Sequence, residues 1–417
     1  MDKMSNAAWK QLDAVRRIRQ AALTVVEAAE LLLGVTDRQV RRIVKAVGEH
    51  GAQGVVHGNT GRSPAHRLKV SIRKQVVKLM RVKYAGFNDK HFTEKLVEVE
   101  KIQVSRATVQ RLLRAAGIGA ARKRRPPKHR RRRDRKPQAG QMILWDGSRH
   151  DWLEGRGPML CLMGAIDDAT SEMLPGAYFV EQECAEGYLR VLLAIAREKG
   201  LPWSAYMDRH GSLKRNDNFW TLEEELRGKQ DPTQVLRALE FLEVEVIYAL
   251  SPQAKGRIER LWGTAQDRLT SELRLAKAKT VEEANAVLRE YAPDHNRRFA
   301  VPPLDAVSAW RPARKGLDLE RACSFRYEAT VSNDNAVRLA GAPVIDIPPG
   351  RTGRSFAKAR VEVRQLLDGS WRVYLGDQII ATANRTAPGE LRALKGNKKR
   401  SAAARAFRRG VQRLALP

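Results

Sequence analysis

The apolar positions of this 417-residue chain change period twice along its length. Between residues 7 and 117 they recur every three or four residues in short runs, which predicts amphipathic helices. Val25-Val-Glu-Ala-Ala-Glu-Leu-Leu-Leu-Gly34 is an Ala/Leu-rich run that ends on a glycine. Val35-Thr36-Asp37 supplies a turn and a cap, and Arg38-Gln-Val-Arg-Arg-Ile-Val-Lys45 starts the next helix. Helix, glycine turn and helix over residues 7–50 is a helix-turn-helix pattern. Val40, Ile43 and Val44 pack inward in that geometry, and Arg38, Gln39, Arg41 and Arg42 face out. Residues 49–69 are rich in Gly, His and Arg and read as a linker. Residues 70–120 repeat the helical theme, with helices predicted over Ile72–Val82, Phe92–Val99 and Val104–Arg114. Ser105 caps the last of these. Val109, Leu112 and Leu113 form its packing side, and Arg106, Thr108, Gln110 and Arg111 its polar side.

From residue 141 the pattern becomes that of buried strands. Gln141-Met-Ile-Leu-Trp145 ends at Asp146-Gly147, Met159–Ile166 ends at Asp167-Asp168, and Met173–Val180 is a third strand. A helix over Ala185–Lys199, a short strand Ser204–Met207 ending at Asp208, a helix over Val235–Leu242 and a strand over Val244–Leu250 follow. Ser251 and Pro252 then suit the cap and first position of a helix whose stripe is Ile258, Leu261, Trp262, Ala265 and Leu269. The order β-β-β-α-β-α-β-α is an α/β layout over residues 138–312. Beyond Pro312 short alternating runs return, with Asp368-Gly369 as a hairpin turn, and predict a small β-barrel over residues 320–386.

Charge narrows the partners. Lys and Arg number 77 against 47 acids, a net charge of +30. Such an excess repels itself unless a polyanion is a normal partner, and nucleic acid is the first candidate. No basic helix with a strong apolar face points to a membrane surface. Residues 121–137 hold 11 Lys/Arg, Arg130, Arg131 and Arg132 among them, and one Asp. That run cannot pack a core; it separates the helical front from the α/β region and suits DNA phosphates. The tail over 391–417 has nine Lys/Arg and no acid. Three distant cysteines give no disulfide framework and no metal motif, and neither a secretory leader nor a spanning segment is evident. A cytoplasmic protein is the expectation.

Candidate chemistry lies in carboxylates. Alone, Glu259 with Lys255 one turn earlier reads as a solvated surface pair. Two strands ending in Asp146 and Asp208 change that reading, because all three can converge on one rim. Like charges at close range repel, but hard divalent cations prefer such oxygen ligands.

The motifs carry a resemblance. Leu144-Trp-Asp146-Gly-Ser-Arg-His-Asp-Trp152, Ala165-Ile-Asp-Asp-Ala-Thr170, Tyr206-Met-Asp208-Arg-His-Gly211 and Ser251-Pro-Gln-Ala-Lys-Gly-Arg-Ile-Glu-Arg260 are similar to four motifs of DDE insertion-sequence transposases with an integrase-type catalytic core. The nearest likeness is to ISNCY-type elements, over roughly residues 10–310. The resemblance implies a tandem helix-turn-helix front, a ribonuclease H-like core and a small SH3-like barrel. It implies that Asp146, Asp208 and Glu259 are catalytic and bind two Mg²⁺ or Mn²⁺ ions, and that the protein cleaves and joins DNA strands at element ends and a target. Lys255 and Arg257 are then expected at DNA phosphates, and a homo-oligomer that handles two ends together is expected. One departure is the 50 residues between Asp208 and Glu259, where many of the wider superfamily have about 35. The nearer Glu243 and Glu245 read as an exposed strand face, and Lys214–Asp231 as a polar surface insertion. Asp167 and Asp168 read as turn caps, and Asn296-Arg-Arg-Phe-Ala-Val-Pro-Pro-Leu304 as a packing segment. The competing reading is a non-catalytic DNA-binding regulator on the same fold.

Overall fold

The computed structural model describes residues 4–57, 59–60, 67–121, 126, 133–215, 220, 222–249, 256–350 and 353–391, in two units, residues 1–74 and 75–417. Arg130, Arg131, Arg132, Ser251, Pro252, Lys255 and nearly all of the basic tail lie outside the described residues.

The first unit is helical. It comprises α1 (Asn6–Arg19), α2 (Val25–Glu27), a π-helical turn over Ala28–Leu33, α3 (Asp37–His50) and a 3-10 turn over Gly51–Val55. Thr24 and Glu27 form a capping box at α2, and Gly34 takes a left-handed conformation (φ 57°) that ends the π-turn. The Thr36 side chain accepts from the Gln39 N–H and starts α3. Val40 and Ile43 are buried against α1 and the π-turn, while Arg38, Gln39, Arg41 and Arg42 are exposed, as the spacing predicts.

The second unit begins within α4 (Val70–Val82) and continues through α5 (Asp89–Glu98) and α6 (Arg106–Ala115). Asn88 and Ser105 cap the latter two. Tyr84, Phe87, Phe92, Leu96, Val109 and Leu113 fill their core.

A five-stranded mixed sheet follows. It is built from β1 (Met142–His150), β2 (Leu160–Asp167), β3 (Tyr178–Val180), β4 (Ser204–Met207) and β5 (Glu245–Tyr248), in the order β3-β2-β1-β4-β5. β1 pairs antiparallel with β2 and parallel with β4, and β4 pairs parallel with β5. The helices are α7 (Ala185–Glu198), α8 (Leu222–Arg227), α9 (Gln234–Phe241), α10 (Gly256–Leu275) and α11 (Val281–Phe299). Side chains alternate across β1. Ile143 and Trp145 enter a core with α7 and α9, whereas Met142 and Leu144 enter one with α10 and α11. A strand covered on both faces reads as a continuous apolar run, as it does here.

Three details differ from the expected pattern. β1 does not stop at Asp146; pairing with β2 carries it on to His150, opposite Leu160. The third strand is shorter, because Pro175 and Gly176 (φ 81°) break it between the Met173 bridge and Tyr178. Its backbone is completed by α11. Asn285 accepts from the Phe179 N–H (2.7 Å) and donates to the Phe179 carbonyl (3.1 Å), and Asn296 does the same for Met173 (2.8 and 2.9 Å). The polar insertion also has a core of its own. Glu224 is fully buried, paired with Arg215 and accepting from the Asp231 N–H at 2.8 Å.

After α12 (Leu319–Ala322) come β6 (Phe325–Thr330), β7 (Ala336–Val337), β8 (Ile345–Asp346), β9 (Arg360–Gln365), β10 (Trp371–Leu375) and β11 (Gln378–Ala383). They form an antiparallel sheet, β11-β10-β9-β6, and a β7-β8 pair around Val363, Trp371 and Val373. Gly369 takes the turn position at φ 87°. Among the described residues no helix is long and apolar enough to cross a membrane.

Helix α5 docks on α10 and α11 mainly through charge. Arg268 donates both guanidinium N–H groups to Glu94 (2.7 and 3.1 Å), Arg298 reaches Glu94 and Glu98, and Glu272 meets His91 and Lys95 at 2.7 Å each. Burial raises the Glu94 carboxyl, but Arg268 and Arg298 outweigh it and hold it below its ordinary 4.5. Burial likewise raises Glu272, and His91 and Lys95 outweigh it. Stability from these carboxylates is therefore present above about 4.5 and is lost as pH falls through their lowered values. Circular-dichroism melts should show the midpoint falling as pH drops below about 4.5. Glu94→Gln should lower stability at pH 7 by about 1–3 kcal/mol and flatten that acid dependence; an unchanged acid profile would count against the assignment.

Candidate active site

The register of β1 on β4 sets two aspartates side by side. The pairing runs from Met142↔Ser204 to Leu144↔Tyr206. Asp146 and Asp208 each lie two residues beyond that last pair, on strands spaced by about 4.8 Å. Equal offsets put both at one level, and the period of two puts both on the α10 side. Both are half-buried. Asp146 accepts from the Trp262 indole N–H at 3.3 Å, and Asp208 accepts from the His210 backbone N–H at 2.9 Å.

Helix α10 carries Glu259 in its first turn. Ile258, Leu261, Trp262, Ala265 and Leu269 are its buried stripe, as the spacing predicts, and Glu259 is exposed on the margin. The close approach of α10 to β1 depends on Gly164, the residue of β2 opposite Asp146. A Cβ there would lie 3.1 Å from the Trp262 ring and 3.3 Å from the Ala177 Cβ. The structure thus brings Asp146 and Asp208 together beside a residue of α10. Among the described residues no three His, Cys, Asp or Glu side chains stand close enough to hold a metal ion, so Glu259 is not gathered with the two aspartates.

A further acid stands at this rim. Glu183, in the loop before α7, accepts from the Tyr188 hydroxyl at 2.5 Å and lies 3.1 Å from the His210 ring. A Cβ on Gly147 would fall 2.8 Å from its Oε2. Burial pushes the Cys161 thiol up to about 12, with Glu183 and Asp146 adding to the effect. Burial also raises the Tyr188 hydroxyl, helped by Glu183, Asp146 and Asp208. Nothing in Val180-Glu-Gln-Glu-Cys184 marks Glu183; only the fold returns it to the strand ends.

The other candidates fall in different places. Arg106, Gln110 and Arg111 are exposed on α6, as Arg38, Gln39, Arg41 and Arg42 are on α3. Arg257, expected at DNA phosphates, instead turns to the fully buried Asp168 and donates to it at 2.5 Å. A guanidinium mostly covered by the fold and committed to a buried carboxylate is not presented to a phosphate. Asp167 caps its turn as expected, accepting from the Thr170 N–H and hydroxyl, and it also takes the Gly140 N–H at 2.7 Å. Glu243 and Glu245 are exposed, but Glu243 sits in the turn before β5 (φ 54°) and pairs with Arg314.

Gly164→Val should push the Trp262 indole off Asp146 at a cost of about 1–3 kcal/mol. Tryptophan emission and near-ultraviolet circular dichroism would report the displacement. A variant with wild-type spectra and melting would mean that α10 does not depend on this approach.

No known protein-family profile matches the chain. A protein of Sinorhizobium fredii bearing the name transposase y4bF is 33% identical over 309 residues, 74% of this chain and 66% of that protein. The transposase for insertion sequence IS1202 of Streptococcus pneumoniae is 29% identical over 420 aligned positions, 89% of this chain and 85% of that protein. The chain thus spans just under two thirds of the first relative's length. Among solved structures, the simian T-cell lymphotropic virus intasome in complex with the PP2A regulatory subunit B56 gamma contains a chain matched over its whole length and 76% of this one. Its identity is 12% and its TM-score 0.30, too low to carry an argument.

Proposed function

We propose that this chain is a transposase like the two relatives it resembles, and that it cleaves DNA at the ends of a mobile element and joins those ends to a target. The observation that carries the reading is the β1–β4 register, which sets Asp146 and Asp208 level on adjacent strands with α10, the bearer of Glu259, against the same face. The sheet order β3-β2-β1-β4-β5, with helices on both faces, supports a ribonuclease H-like core of the integrase type. The six-strand region after α12 supports a small SH3-like barrel, and the helical segments before residue 120 support two helix-turn-helix modules.

The reaction exchanges phosphodiester bonds. Water first splits a backbone ester and leaves a 3′-hydroxyl. That hydroxyl then attacks a target phosphodiester, so a new ester forms as one breaks. The donor set fits hard divalent cations, because two half-buried carboxylates share one level and offer oxygens alone. Asp146, Asp208 and Glu259 would hold Mg²⁺ or Mn²⁺, two ions in all. Such ions, when bound, neutralise charge on the reacting phosphate. The chain's own residues orient the site: Trp262 fixes the Asp146 carboxylate, and the His210 N–H holds that of Asp208.

DNA would be held by the exposed faces of α3 (Arg38, Gln39, Arg41, Arg42) and α6 (Arg106, Gln110, Arg111). The basic run with Arg130, Arg131 and Arg132, and Lys255, four positions before Glu259 in the sequence, would add phosphate contacts. A net charge of +30 supports a duplex partner. Two ends must be handled together, so a homo-oligomer on DNA is part of the proposal.

Asp208→Asn should abolish cleavage and joining of labelled element-end DNA in Mg²⁺ while leaving end binding within about twofold, since phosphate contacts dominate affinity. Strand transfer retained by that variant would remove Asp208 from the role. End binding by the wild type with no cut in either Mg²⁺ or Mn²⁺ would favour the regulator reading.

A further inference from the structure

The buried carboxylate of Asp168 lies where three parts of the second unit meet. Its side chain is wholly inaccessible. Oδ1 accepts from Arg257 Nη1 at 2.5 Å and from Arg133 Nη2 at 2.6 Å. Oδ2 accepts from Arg133 Nη1 at 3.2 Å and from the Lys136 backbone N–H at 2.8 Å. Its own N–H donates to the Met142 carbonyl at the start of β1. Arg257 Nη2 closes the circuit by donating to the Arg133 carbonyl at 2.5 Å. The Arg133 guanidinium also lies 5.7 Å over the Tyr206 ring, two residues before Asp208 on β4.

Each arm of this cluster leads to the candidate site. Met142 begins the strand of Asp146, Tyr206 stands on the strand of Asp208, and Arg257 precedes Glu259 by two residues on α10. The Arg257 side chain is only 11% exposed, so its aliphatic stem and head are both fixed. A charged pair with no solvent to replace it resists displacement, since removing one partner strands the other. The first turn of a helix otherwise frays readily, having no preceding turn to hold it.

We propose that Asp168 is a positioning residue: through Arg257 it pins the first turn of α10 and so sets where Glu259 stands relative to Asp146 and Asp208. The inference rests on the reading of those three carboxylates as a cation site. Asp168 touches no reacting group; it acts on Glu259 by holding the turn that bears it. Arg133 shares the same carboxylate, so the end of the basic run is anchored beside that turn.

The test is Mn²⁺ binding to the full-length protein, followed by the electron paramagnetic resonance signal of the free ion, with element-end DNA present. Wild type, Asp168→Asn, Arg257→Gln and Arg257→Lys would be compared, with melting and end binding measured in parallel. Asp168→Asn and Arg257→Gln should weaken Mn²⁺ binding about tenfold, the usual scale for groups that orient metal ligands. Arg257→Lys should recover part of the loss and end binding should stay near wild type, while the melts, lowered by the stranded partner, need only show that each variant is folded at the assay temperature. Equal or tighter Mn²⁺ binding by a folded Asp168→Asn or Arg257→Gln protein would overturn the positioning role. Should Asp168→Asn fail to fold, the two Arg257 variants decide the matter by the same criterion. A wild type that binds no Mn²⁺ would instead overturn the cation site itself, and the inference with it.

Discussion

The parallel pairing of β1 with β4 is the constraint on which the rest depends. Side chains on a strand change face at every residue, so a slip of one position would send Asp146 into the core beside Trp145 and α7. The register is protected because both faces of β1 are covered. Ile143 and Trp145 match one helix layer, Met142 and Leu144 the other, and neither set can be exchanged without burying a carboxylate. Apolar packing thus decides the location of the acids, and the acids contribute little to the choice.

Charge pairing does a second job in a chain so rich in cations. Acids are placed where arginines must be covered. Glu94 takes Arg268 and Arg298 at the α5 contact, and Asp168 takes Arg133 and Arg257. Glu362 takes Arg321, Arg326 and Arg364 on the C-terminal sheet. These internal pairs give the arginines that the fold covers an acidic partner, although three acids shared among seven arginines do not by themselves neutralise them. Exposed arginines such as Arg38, Arg41, Arg42, Arg106 and Arg111 add positive charge at the surface, where it acts at a distance on an approaching polyanion.

Much of this was legible in the sequence where local rules govern. Thr36 and Ser105 cap the helices assigned to them, and Val40, Ile43, Val109 and Leu113 are buried on the faces that their spacing gives. The strands before Asp167 and Asp208 end where the apolar runs end. What was hidden depends on partners far along the chain. β1 outruns its apolar stretch because β2 supplies hydrogen bonds as far as Leu160. Arg257 looks like any helix-surface arginine until Asp168, 89 residues away, is folded against it. Glu183 sits in a polar loop with no period at all, and Glu224 is buried by an ion pair inside a stretch that reads as surface. The position of Glu259 within α10 was legible. That it stands apart from the two aspartates among the described residues was not, because the separation depends on how the helix packs against strands far away in the chain.

The two asparagines of α11 have a consequence for the sheet as a whole. Their amides offer Phe179 and Met173 a donor and an acceptor each, the same pair of groups that a neighbouring strand would offer. A helix thereby occupies the outer margin next to β3, where an open row of peptide groups would invite strands from other molecules. Protection against self-templated aggregation at that margin comes from two side chains, and the helix that carries them also walls the core. Lateral growth of the sheet on that side would require prying α11 away, so the margin is guarded by the stability of the domain itself.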